Sequence, residues 1–118
     1  MILRNFLDAE LTELPHCHDG DGTLLHADLF EPAQLASALR FVHYTVLPSG
    51  TSIGLHTHGE DNEIYIILSG NGIAEVAGER QEVSAGDVLV NPPHGTHGLF
   101  NTSLFDMRIL VIEAGMER

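Results

Sequence analysis

From Leu39 onward the chain consists of short runs rich in Val, Ile, Leu, Tyr and Phe, broken every several residues by glycine or proline. This rhythm constrains the fold more than any other feature, because short apolar runs bounded by turn-forming residues predict β-strands. The runs are Arg40 to Leu47, Ser52 to His58, Glu63 to Leu68, Ile73 to Ala77, Gln81 to Val83, Val88 to Asn91, His97 to Asn101 and Met107 to Glu113. Segments such as Pro48-Ser49-Gly50, Ser69-Gly70-Asn71-Gly72 and Ser84-Ala85-Gly86-Asp87 supply turn geometry between them. The expectation is an all-β domain, a sandwich or a barrel.

Toward the N-terminus, Leu24 to Phe30 reads as one more strand and Pro32 to Leu39 as the start of a short helix, since proline is tolerated at a first helical position. The chain has 118 residues, no internal repeat and no linker, so residues 1–118 are expected to form a single domain. The first 38 residues then complete that domain or pair with a second copy. Met1 to Leu14 lacks the apolar core of a secretory signal, and no apolar run reaches the ~20 residues of a membrane span. A soluble, cytoplasmic protein is expected. Cys17 is the only cysteine, which excludes an intrachain disulfide and a cysteine-based zinc site.

Five arginines and no lysine stand against 17 acidic residues, a formal charge of −12 that repels phosphate backbones and anionic lipid. Nucleic acid and membrane are therefore not expected as partners, and lysine Schiff-base chemistry is excluded. The eight histidines carry what this sequence says about chemistry, because neutral imidazole is the commonest protein ligand for transition metals.

His56 and His58 are two apart in an apolar run, so both imidazoles point to the same side of a strand. Glu63 opens the next run after the turn from Gly59 to Asn62, and an antiparallel hairpin is expected to bring its carboxylate beside them. His97, which opens a later run after Pro92-Pro93, is the best candidate for a fourth ligand. Ordinary interior histidines satisfied by hydrogen bonds fit the same pattern.

The spacing adds to this. From Gly50, five residues lead to His56, one separates it from His58, four precede Glu63 and six precede Gly70. That stretch, 50–70, resembles the first conserved motif of the cupin superfamily. The stretch 86–101, Gly86-Asp87-Val88-Leu89-Val90-Asn91-Pro92-Pro93-His94-Gly95-Thr96-His97-Gly98-Leu99-Phe100-Asn101, resembles the second, except that His94 stands where that motif has glycine. The resemblance implies a double-stranded β-helix, the jelly-roll barrel of cupins, with His56, His58, Glu63 and His97 as ligands of one divalent transition metal. It also implies, in many members, a homodimer with exchanged N-terminal strands. Three nitrogens and one oxygen suit Mn, Fe, Ni, Co or Zn alike.

Other residues have weaker claims. Tyr65 shares the strand parity of Glu63, so it either offers a phenol to the cavity or simply fills the interior. His43 and Tyr44 lie on opposite faces of their strand, and an inward His43 is a candidate general base. Arg108 is a candidate clamp for a substrate carboxylate, with a solvated arginine as the default. His94, three before His97, could bind with it, but its turn position points to solvent; the His16-Cys17-His18 triplet could form a second metal site, with an incidental loop as the default, and Glu60 with Asp61 forms an exposed turn. Asp19-Gly20-Asp21-Gly22 lacks the spacing of a calcium loop and reads as a turn. Asn101-Thr102-Ser103 fits a glycosylation sequon without an accompanying secretory signal. The expected function is metal-dependent chemistry on a small polar molecule, a sugar derivative or a carboxylic acid, by isomerase, lyase or dioxygenase action. The alternative is a non-catalytic metal- or sugar-binding module, because fold does not select function.

Overall fold

Two of the longest runs show most plainly why strands form, because buried residues alternate with more exposed ones along them. In the computed structural model, which describes residues 1–115, Asp61, Glu63, Tyr65 and Ile67 are buried in one strand, while Met107, Ile109 and Val111 are buried in another. Ten strands result: β1 (Thr12–Pro15), β2 (Thr23–Asp28), β3 (Leu39–Leu47), β4 (Ser52–Thr57), β5 (Asp61–Ser69), β6 (Asn71–Val76), β7 (Glu79–Ser84), β8 (Val88–Asn91), β9 (Thr96–Phe100) and β10 (Met107–Gly115). One sheet runs β1-β2-β3-β10-β5-β8 and the other β4-β9-β6-β7, with every pairing antiparallel.

The core lies between the sheets. Leu24, Leu47, Ile67, Met107 and Ile109 from the larger sheet meet Ile53, Ala74, Val83 and Leu99 from the smaller. No strand pair joins the two sheets among the described residues, so the expected barrel is not closed; the order is that of two facing sheets, consistent with a jelly roll. Ala77 and Gly78 close the β6–β7 hairpin with φ of 51° and 80°, the two positive values that a tight primed turn requires.

The N-terminal third departs most from expectation. β1 has no counterpart among the predicted runs: it is four residues long, ends in Pro15 and sits at a sheet edge, where proline is tolerated. β2 replaces the predicted Leu24 to Phe30 and is paired on both sides within the chain, to β1 and β3, so it leaves no open edge. The predicted helix is the single turn α1 (Pro32–Leu35), held by reciprocal hydrogen bonds between Glu31 and Gln34. No helix among the described residues is long and apolar enough to cross a membrane.

Candidate metal centre

The smaller sheet places two histidines through an irregularity in β4. Ser52 and Ile53 pair with Phe100 and Leu99 of β9, and the register then shifts so that His56 pairs with His97. Gly54 and Leu55 thus stand opposite Gly98 alone, which is a β-bulge. Strict alternation from the buried Ile53 would turn Leu55 inward and His56 outward. The bulge reverses this, leaving Leu55 48% exposed and His56 facing the interior. Gly54 also lets the 16–20 loop approach, since a Cβ there would lie 2.1 Å from the His18 carbonyl oxygen.

Glu63 arrives differently from the hairpin expectation. β4 and β5 are consecutive but do not pair; they belong to opposite sheets, so Glu63 reaches the imidazoles across the interior. The chain passes from one sheet to the other through His58, Gly59 and Glu60.

The four side chains converge. One ligand-type atom from each of His56, His58, Glu63 and His97 lies within 4.8 Å of the others. The Nε2 atoms of His56 and His58 are 3.2 Å apart, and Glu63 Oε1 is 3.4 Å from Nε2 of both His58 and His97. Donors bound at ~2.1 Å and at right angles around one ion sit roughly 3 Å apart, so these spacings fit a single metal. The hydrogen bonds fit it as well. His56 Nδ1 donates to the Gly54 carbonyl at 2.8 Å and His58 Nδ1 to Asp61 Oδ1 at 2.8 Å, which leaves each Nε2 lone pair aimed at the cluster. His97, 1% exposed, has no hydrogen-bond partner on either ring nitrogen.

Burial sets the electrostatics. It pushes the His97 imidazole down to about 3, with His56 and His58 adding to the shift, and holds His56 at about 4. Both rings are therefore neutral, as ligation requires. Glu63 is raised to about 7, chiefly by burial. His56, His58 and Glu63 line a cavity of about 680 Å³, and His97 is buried beside them.

A family model for the cupin domain matches residues 42–113. The chain belongs to the cupin family. An oxalate-binding protein of Thermotoga maritima is 30% identical over 114 residues, covering 95% of this chain and 92% of that one. A crystal structure from the same organism, described as a predicted oxalate decarboxylase, superposes with a TM-score of 0.93 at 28% identity over 98% of this chain and 100% of that one. KdgF from Halomonas sp. shares the fold at a TM-score of 0.65 and 20% identity, covering 80% of this chain and 81% of that one.

Around its ligand cluster this cupin carries groups that sequence reading missed. Asp61 is not in an exposed turn: it opens β5, is 7% exposed and bonds both His58 and, at 2.9 Å, Arg40 Nη1. Glu113 of β10 lies 3.5 Å from His58 Nδ1 and has its carboxyl raised by burial and then by Asp61. Tyr65 does face inward; burial, then Glu63, holds its phenol well above the ordinary value. The 16–18 loop packs against the cluster. The His18 ring stacks on His56 with centroids 3.6 Å apart, and Cys17 lines the same cavity, its thiol raised by burial and then by Glu63.

The remaining candidates fall away from the cluster. His43 lines the far side of the cavity, stacked on Phe41 at 3.7 Å. Arg108 is no substrate clamp, because it is on the outer face of the sheet, donating to the Tyr44 hydroxyl at 2.8 Å. His94 is exposed with φ 61°, taking the left-handed conformation that the family's glycine would supply. Asn101 is buried and donates to the Leu47 and Phe105 carbonyls, so the sequon-like triplet is structural.

Proposed function

We propose that this cupin is a metal-dependent enzyme acting on a small carboxylic acid, by isomerase, lyase or dioxygenase chemistry. The observation that carries the reading is that His56, His58 and Glu63, three of the four clustered ligand-type side chains, line the cavity. One divalent ion held there, Mn, Fe, Ni, Co or Zn by its donor set, supplies Lewis acidity next to a cavity of ligand size. Tyr65 keeps its proton beside Glu63 and is the candidate acid. His43, held down at about 4 by burial and then by His26, is neutral and lies across the cavity from the ligands, so it is not placed to take a proton at the metal. A carboxylate is favoured over a sugar because the 30%-identical relative is an oxalate-binding protein.

That same name favours a second reading, a non-catalytic carboxylate-binding module. The experiment is to load the protein with each of the five metals, add oxalate, pyruvate and small sugars, and follow both heat of binding and product formation. Metal-dependent turnover supports the enzyme, and saturable binding without product supports the module. Neither binding nor turnover with any carboxylate contradicts both.

A further inference from the structure

The cavity extends well beyond its metal-ligand end. In the larger sheet, Glu63 of β5, Glu113 of β10 and Phe41 of β3 occupy one register row, and Tyr65, Val111 and His43 the next. Phe41 and His43 are thus two strand spacings, roughly 10 Å, from the ligand Glu63. They form a flat slab, with rings 3.7 Å apart and 7° from parallel, and His26 meets His43 edge-on at 4.3 Å. Leu14, Leu24, Ile53 and Val111 wall the space between slab and ligands.

Volume and charge both bear on what fills it. A cavity of about 680 Å³ falls in the ~300–1,000 Å³ range of sites for drug-sized molecules, and a two-carbon dianion would leave most of it empty. The sequence holds no lysine, and among the described residues no arginine lines the cavity. Asp28, outside the cavity lining, lies 3.7 Å from His43 Nε2, and both His26 and His43 are held below the ordinary imidazole value, first by burial. A second carboxylate placed against Phe41 and His43 would find no cation and only neutral rings, whereas an aromatic ring would meet a stacking surface and aliphatic walls.

We propose that the ligand of this cupin is a monocarboxylic acid with an aromatic body, its acid end at the metal ligands and its ring against the Phe41–His43 slab. The proposal rests on the reading that a carboxylate binds at the metal centre, and it narrows that reading to a class other than small dianions. Phe41 is then the specificity-determining residue.

Calorimetric titration of the metal-loaded protein with phenylpyruvate, pyruvate and oxalate tests it. Phenylpyruvate should bind at least tenfold more tightly than pyruvate or oxalate, and Phe41→Ala should remove most of that advantage while changing pyruvate affinity less than twofold. Equal affinity for phenylpyruvate and pyruvate, or a Phe41→Ala effect common to both, overturns the proposal. A second arm does not depend on metal: phenol added to the metal-free protein should shift the methyl resonances of Leu24, Ile53 and Val111. Silence there overturns the aromatic lobe, while a shift in protein that takes up no ion upholds the lobe and contradicts only the metal centre.

Discussion

His56 on β4 and His97 on β9 are paired residues of neighbouring strands, their ring centroids 4.2 Å apart, and the bulge at Gly54 and Leu55 is what turns them to the same interior. The pair is costly without an ion. Buried polar atoms lacking partners cost ~1–3 kcal/mol each, and His97 contributes two. His97→Leu should therefore abolish metal uptake yet leave the metal-free protein at least as stable as the parent. Metal analysis together with melting of both metal-free proteins checks this, and a lower melting temperature for the variant would count against it.

Asp61 should matter to the metal without touching it. Its bond to His58 Nδ1 fixes that ring so that Nε2 faces the cluster, and Arg40 holds the carboxylate in place. Loss of such an outer partner lowers metal affinity ~10–100-fold. Asp61→Ala should fall in that range, and Asp61→Asn, which keeps an acceptor oxygen, should lose less. Competition with a chelator of known affinity reads the difference; a parental affinity in Asp61→Ala would contradict the role.

The pH dependence follows from Glu63. Its pKa in the metal-free fold, about 7, lies above the ordinary carboxyl value, so its contribution to metal-free stability is complete at low pH and is lost as pH rises through about 7. Ion binding requires the carboxylate and removes that penalty, while His56 and His97 are already neutral across this range. The melting-temperature gain on metal loading should thus be larger at pH 8 than at pH 6, with about one proton released per ion at the lower pH. Calorimetry in buffers of different ionisation heat measures the proton; equal release at both values would contradict the assignment.

We propose that the protein is a homodimer, joined through the outer face of the six-stranded sheet. Val88 and Val90 are 62% and 56% exposed there, next to half-buried Ile64, Ile66, Leu110 and Ile112. A continuous apolar face of this kind marks an interaction site. Light scattering should give twice the chain mass, and Val90→Lys should yield a monomer that still binds metal. A parent protein that is monomeric at micromolar concentration argues against this interface.

Much of this was legible in the sequence because it resides in period and spacing. The alternation of Glu63, Tyr65 and Ile67 gives the strand and its inward face, and the separations from Gly50 to Gly70 carry the cupin resemblance that implies three of the ligands. What was not legible depends on partners far away in the chain. Sequence adjacency suggested a β4–β5 hairpin, but β4 pairs with β9, and only that pairing makes Gly54 and Leu55 a bulge. Gly54 inside an apolar run was the available sign. Asp61 looked solvated because its neighbours Gly59 and Glu60 are exposed, and nothing local reveals that β10 and Arg40 cover it. The role of the 16–18 loop rests on a close approach to β4 that no pattern within the loop encodes.

The central claim is that His56, His58, Glu63 and His97 hold a single divalent ion, and elemental analysis of protein purified without a chelator or a metal-affinity tag tests it most directly. After reconstitution with Mn, Fe, Ni, Co or Zn, the account predicts close to one ion per chain for at least one metal, lost in His56→Ala, His58→Ala and His97→Ala and kept in His94→Ala. A stoichiometry near zero with every metal, or an ion that survives His97→Ala and disappears with His94→Ala, would contradict it.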